Sequence, residues 1–279
     1  MKMTDYSAVT EFTADNIMLV DGTGGTKKIL VGDALLAMLH LNSVHNHRTV
    51  FRGKNLGTNI TQTQKTSIQN GTFDDIWLGD YWEINGVKWR VADFDYWLGT
   101  GDMECTEHHL VLIPDTNLGT AAMNSSGTTA GGYTGSAMYT TNMNSAKATI
   151  NGTFGDFVLS HREFLINTVT SGYPSAGSWL DSTIELLNEP MVFGGHIYGP
   201  AATGSVTPKL YTSNPTQLAL FRVAPQFINK PDGASERISY WLRDVVNATS
   251  FVRISTYGAP QDTSASQSYG IRPYFAIGG

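Results

Sequence analysis

Residues 75–98, DIWLGDYWEINGVKWRVADFDYWL, constrain the fold more than any other stretch of this chain. Large apolar and polar residues alternate on both sides of Asn85-Gly86. An Asn-Gly pair between two alternating runs specifies a two-residue hairpin, because both central positions of that turn need positive φ. The pattern therefore predicts β structure from Asp74 onward. HHLVLIP is read as a third strand stopped by Pro114, and NLGTAAMNSSGTTAGGYTGSAMYTTNM as a long surface excursion in which Met and Tyr recur. TNMNSAKATI and SHREFLINTV are read as short helices, the second opened by an S-x-x-E capping box of Ser160 and Glu163. SWLDSTIELLNEPMVFGG is read as a further helix with its following turn. QLALFRVAP, SYWLRDV, SFVRIST and GIRPYFAIG complete the set as short strands.

Ahead of this region the chain reads differently. NIMLV and KKILV are expected to pair across the turn Asp21-Gly22-Thr23-Gly24-Gly25-Thr26. Asp33 is then placed to cap a helix through ALLAMLHL. The glycine-rich turn lacks the lysine of a phosphate loop and is followed by a strand where such a loop needs a helix, so it holds no nucleotide. Leu35, Leu36 and Leu39 make the helix too apolar to stand alone and imply burial against a partner chain. Residues 42–73 have few large apolar side chains and suit a linker, with a short helix near TQTQKTSI. The expected division is 1–41 for attachment and oligomerisation, 42–73 as linker, and 74–279 as the main α+β domain.

Charged residues make up 15% of the 279 positions, against about 25% in an average globular domain, and Gly alone occurs 29 times. Polarity comes from Thr, Ser, Asn and Gly, as on an extracellular or virion surface. The net charge of −6 argues against nucleic acid, since phosphate contacts require clustered Lys and Arg. The single Cys105 rules out an internal disulfide framework and reads as a buried, inert thiol. No apolar run reaches the roughly 18 residues of a membrane helix. The N-terminal residues lack a signal-peptide core, so any export is expected to bypass that route.

Few groups suggest chemistry. Asp93 and Asp95 sit at strand-like spacing near Asp102, and a glycan-cleaving reading would use Asp93, Asp95 or Glu163 as acids. Alternating strand positions explain the same two aspartates. His45 and His47 flank Asn46 without a third ligand nearby, and Glu107-His108-His109 lacks zinc-site spacing, so no metal is assigned. The five N-x-S/T sequons at Asn59, Asn70, Asn124, Asn151 and Asn247 are expected by chance in so Asn- and Thr-rich a chain. No catalytic residue and no cofactor is assigned.

The last forty residues carry more. Trp241-Leu242-Arg243 and Ile271-Arg272-Pro273 frame a small, polar, weakly charged stretch. A buried guanidinium must be paired or hydrogen-bonded, so Trp241, Arg243 and Arg272 are read as structural anchors, with Asp244 and Asp181 as candidate partners. Between them lie Asn247, Ser250, Arg253, Ser255, Tyr257, Gln261, Asp262 and Tyr269. Rigid aromatics with short polar partners are the vocabulary of adaptable recognition surfaces, and these eight are the candidate ligand-binding residues.

YWLRDV…SFVRIST…SYGIRPYFAIG resembles the ending W-L-R-(S/D)…G-(V/I)-R-P-(A/Y)-F of a large family of phage and bacterial surface proteins. In that family it closes a C-type-lectin-like fold. Variable target proteins of diversity-generating retroelements share the pattern and vary between the two signatures. GDYWEINGVKWRVADFDY is similar to the opening hairpin of such domains, so the resemblance spans residues 74–279. NIMLVDGTGGTKKILVGDALLAML resembles the attachment segments of tailed-phage fibre and head-fibre proteins, which dock on the virion, usually as trimers.

Two departures matter. Asp244-Val245 stands where the family often has Ser-Pro, and Asn188-Glu189-Pro190 reverses the E-P-N order of calcium-dependent lectins, so that activity is not implied. Formylglycine-generating enzymes share the broad fold but need paired cysteines. The resemblance implies a non-enzymatic protein of the virion, assembled in the host cytoplasm as a homo-oligomer, a trimer. Its partners would be capsid or tail proteins and a host-surface glycan or protein. A structural capsid decoration protein and a virion-associated glycan-degrading enzyme are the alternatives.

Overall fold

A computed structural model describes residues 17–22, 25–30, 46–199, 217–229 and 237–279. The chain forms two compact units, residues 1–46 and 47–279. In the first unit, β1 (Ile17–Gly22) and β2 (Gly25–Leu30) pair antiparallel from Ile17 opposite Leu30 to Gly22 opposite Gly25, as the alternation around the glycine-rich turn leads one to expect. Leu35, Leu36, Leu39 and the helix expected around them lie outside the described residues.

The second unit is α+β and mostly antiparallel. The Asn85-Gly86 hairpin forms as read: φ is +53° at Asn85 and +77° at Gly86, which gives the turn the twist of its strands. It joins β3 (Tyr81–Ile84) to β4 (Val87–Phe94), with Trp82 opposite Trp89. Together with β5 (His109–Pro114), β9 (Ile184–Leu186) and β14 (Pro273–Gly278) they build one sheet in the order β3-β4-β5-β14-β9. A second sheet has the order β12-β11-β10-β13-β6, from β6 (Thr120–Ala122), β10 (Tyr240–Val245), β11 (Ser250–Ile254), β12 (Pro260–Ser264) and β13 (Ser268–Gly270). A two-stranded ribbon is formed by β7 (His161–Thr170) and β8 (Tyr173–Ser182).

Helices fill the remaining edges. In α1 (Gln62–Gln69) Thr61 accepts from the Gln64 N–H while the Gln64 side chain accepts from the Thr61 N–H, a complete capping box. In α2 (Asn144–Phe154) Ala146, Ile150 and Phe154 recur at helical spacing and are the buried residues. Phe154 meets Trp89 edge-on at 5.3 Å and Phe275 at 4.9 Å, and Trp89 meets Phe275 at 5.6 Å. This aromatic triplet ties α2 to the middle of the first sheet.

Several expectations need correction. SHREFLINTV is strand β7, not a helix: its burial alternates from His161 to Ile166, and it is rich in β-branched residues. Ser160 therefore caps nothing there, and Glu163 is fully buried. SWLDSTIELLNEPMVFGG is the end of β8, then β9, then only a short helix α3 (Glu189–Phe193). Asn188 caps α3 through the Met191 N–H, Pro190 occupies its first turn, where no intrahelical donor is needed, and Gly194 ends it at φ +83°. QLALFRVAP is not a strand but α4 (Ala219–Val223) followed by a 3₁₀ turn from Pro225. A short buried apolar run has no period that separates strand from helix.

The expected linker is folded from residue 47 on. His47, Ile68 and Phe73 are buried, His47 stacks on Trp77 at 4.4 Å, and its Nδ1 lies 2.6 Å from the Ile76 carbonyl. A His45–His47 metal pair is thereby excluded for His47, and His45 lies outside the described residues. Replacing Phe275 by Ala empties the centre of the aromatic triplet and is expected to cost about 3–5 kcal/mol. Urea unfolding of the Phe275→Ala protein measures this, with the midpoint lowered and the slope retained.

Candidate functional site

The two framing signatures become two buried anchors. On β10, Arg243 Nη2 lies 2.6 Å from Glu163 Oε2 on β7, so its partner is neither Asp244 nor Asp181. Asp181 instead pairs with Arg162, and Asp244 accepts the Glu189 N–H. Glu163 also accepts from the Tyr274 hydroxyl of β14 and lies 3.0 Å from His161 Nε2, and His161 stacks on Trp97 at 4.3 Å. Arg272 donates from Nε to the Pro114 carbonyl at 2.8 Å and from Nη1 to the carbonyls of Phe227 and Ile228, both at 2.9 Å. Its guanidinium sits over the Tyr240 ring at 5.2 Å.

Between these anchors the polar stretch forms one face of the second sheet. Cross-strand partners point to the same side, and Arg253 pairs with Trp241 on β10 and with Gln261 on β12. Arg253 donates to Thr263 Oγ1 at 2.9 Å, to Ser239 Oγ at 3.0 Å and to the Gln261 side-chain oxygen. Its guanidinium lies over the Tyr269 ring at 4.3 Å. Tyr269 in turn stands edge-on to Trp241 at 5.4 Å, and the Trp241 indole donates to the Ala121 carbonyl of β6 at 2.9 Å. The result is a row running from Gln261 through Arg253 and Tyr269 to Trp241. Among the described residues no carboxylate pairs with Arg253, so its charge is held by neutral groups and an aromatic face. A half-exposed guanidinium fixed in that way retains attraction for an anionic or hydroxyl-rich ligand.

The eight candidate residues are divided by the fold. Arg253, Gln261 and Tyr269 come together in this row. Ser250 and Ser255 are buried, and Ser255 Oγ donates to the Ala259 carbonyl inside the β11–β12 turn. Tyr257 stands at that turn and is 85% exposed, the most exposed of the large apolar side chains described. Asn247 and Asp262 meet weakly at 3.4 Å; period-two alternation along β12 turns Asp262 away from Gln261. Ser239 and Thr263 escaped sequence reasoning. Thr263 stands two residues after Gln261, a spacing that would have placed it on the same face.

The carboxylates considered for catalysis lie in separate places. Asp93 is fully buried, accepts from Arg48 at 2.6 and 3.1 Å and from the Ala219 N–H at 3.0 Å, and burial raises its pKa despite that pairing. Asp95 binds His108 Nδ1 and the His109 N–H. Cys105 is buried, and that burial pushes its thiol pKa up.

Burial opposes ionisation of Glu163, but Arg243, His161 and Tyr274 outweigh it and hold its pKa at about 2 against an ordinary 4.5. A carboxylate depressed in the folded state stabilises fully above its unfolded pKa and loses that contribution as pH falls through the folded one. Stability is therefore expected to decline from pH near 4.5 down to about 2. Glu163→Gln should remove much of that acid dependence and, by taking away the negative charge opposite the buried Arg243, cost roughly 3–5 kcal/mol at neutral pH. Thermal melts across this pH range for both proteins provide the check. Comparison with known protein families, curated proteins and solved structures found no match for this chain.

Proposed function

We propose that this chain is a surface protein of a tailed-phage virion, a head or tail fibre, that binds the host cell surface through the outer face of its second sheet. The observation that carries this is Arg253, held over Tyr269 by neutral partners, with no carboxylate paired to it among the described residues. Tyr257 adds an exposed aromatic on the same hairpin. Such a surface joins a fixed cation, aromatic faces and amide groups, which suits the hydroxyls and acidic groups of a wall glycan or a surface protein. On this proposal the fold is C-type-lectin-like. Three features support it: the opening hairpin at Asn85-Gly86, the two arginine anchors, and the late strand β14 inserted between β5 and β9. The first 41 residues would attach to capsid or tail proteins as part of a homotrimer.

The glycan-degrading alternative gains nothing from the geometry, since Asp93, Asp95 and Glu163 are each engaged elsewhere. Purified protein is expected to sediment as a trimer at micromolar concentration, and a monomer would count against the fibre assignment. Labelled protein should bind the cells or isolated walls of at least one species in a bacterial panel. Arg253→Ala should then weaken binding by about 2 kcal/mol, roughly thirtyfold, as loss of a central arginine does. Tyr257→Ala is expected to weaken it too, and Ser255→Ala to leave it unchanged. Retention of full binding by Arg253→Ala would remove the sheet face from consideration.

A further inference from the structure

Glu189 at the start of α3, His196 just beyond that helix and Asp244 at the end of β10 form a group apart from the Arg253 face. One ligand atom from each lies within 4.8 Å of the others. These are the donor types of mixed oxygen–nitrogen metal centres, and they come from two segments of the chain, α3 with its following turn and the end of β10. We propose that Glu189, His196 and Asp244 bind a divalent transition-metal cation of the zinc class.

The carboxylate of Asp244 supplies the independent evidence. Its side chain is only 9% exposed, and the hydrogen bonds its carboxylate accepts among the described residues come from backbone N–H groups, those of Glu189 and of Asp244 itself. Its Oδ2 accepts the Glu189 N–H at 2.7 Å. The imidazole nitrogen of the cluster, His196 Nδ1, is 3.7 Å from Oδ1, too far for a hydrogen bond. That gap is close to the ~3.4 Å edge of a tetrahedron built with metal bonds of about 2.0–2.1 Å. A single cation between the two atoms would thus occupy the space that a hydrogen bond does not close.

The two acids lie close to each other, and the neighbouring Arg243, which pairs with Glu163, offsets their repulsion only in part. Burial, reinforced by the charge of Glu189, raises the Asp244 pKa to about 7. The Glu189 carboxylate is held in place rather than free to swing: Oε2 accepts N–H groups from Ile197, Tyr198 and Gly199, the last at 2.7 Å. Its Oε1 takes only the Tyr198 N–H at 3.0 Å and keeps a lone pair for a metal. The closure is tight at Gly199, where a Cβ would lie 3.0 Å from Glu189 Oε2 and 3.1 Å from Asp244 Cβ. His196, with 31% of its side chain exposed, gives the site a solvent-facing side.

The test uses the full chain without a histidine tag, stripped with chelator and titrated with Zn²⁺ at neutral pH by calorimetry. Melting temperatures are followed in parallel. One equivalent of Zn²⁺ is expected to bind and to raise the melting temperature. His196→Ala should weaken binding by more than about tenfold, beyond the effect of losing an outer-shell partner, with the circular dichroism spectrum unchanged. Asp244→Asn should do the same, and because His196 is partly exposed its variant remains informative if Asp244→Asn misfolds. His108→Ala, at the other partly exposed histidine–carboxylate pair, should bind as the parent does. Absence of one-equivalent Zn²⁺ binding overturns the proposal. So does equal binding by His196→Ala, loss of binding in His108→Ala, or a response to Ca²⁺ alone.

Discussion

The ion pair between Glu163 and Arg243 is the constraint on which the second unit depends. Glu163 lies on the ribbon strand β7, Arg243 on β10 of the second sheet, and the hydroxyl that completes the shell on Tyr274 of β14 in the first sheet. One fully buried carboxylate is thus satisfied jointly by two sheets and a ribbon. Apolar packing alone would let such layers slide, because it has no direction. A buried charge does not tolerate sliding, since any displacement leaves it unpaired at a cost of several kcal/mol. Nearby, Tyr133 and Ser182 donate to the two oxygens of Glu185, so this second buried acid is hydrogen-bonded at both.

That arrangement bears directly on the outer face. Trp241 belongs to the same strand as Arg243, two residues away, and the register against β11 is irregular between Trp241 and Val245. Anchoring Arg243 therefore fixes the height and tilt of the strand from which Trp241 supports Tyr269, and Tyr269 supports Arg253. Arg272 does the same from the other end, by gathering carbonyls from β5 and from the turn after α4. The row from Gln261 to Trp241 is thus held in place by buried groups, so any ligand it took would meet side chains that are already ordered.

How much of this was legible varied with the kind of signal. The Asn85-Gly86 hairpin, the strand ending at Pro114, the anchoring use of the arginines and the existence of a helix in TNMNSAKATI all follow from local rules, although that helix runs on to Phe154. Glu163 shows where such rules stop. Ser160 and Glu163 have the spacing of a helix start, and only the distant Arg243 and Tyr274 explain why the segment is a strand with that acid pointing inward. Pro190 was a local warning against a long helix through residues 178–193, whereas the short run around Leu220 carried no period at all. In the candidate face, Arg253 and Tyr269 were visible by residue type, but the burial of Ser250 and Ser255 depends on strand register. His196 and Asp244 are separated by a long stretch of sequence, and no spacing rule joins them to Glu189.

The position of β14 has a consequence for how the chain reaches this state. Its residues 273–278 lie between β5 and β9, so β9 has no place in the first sheet until they arrive. On a ribosome, β5 and β9 wait with unsatisfied backbone edges while the intervening segments are made. Contacts so distant in sequence are closed late and slowly. A half-made chain therefore presents two strand edges that invite pairing with a neighbour. Insertion of the final strand acts as a latch: it removes both edges in one step and brings Tyr274 onto Glu163 at the same moment.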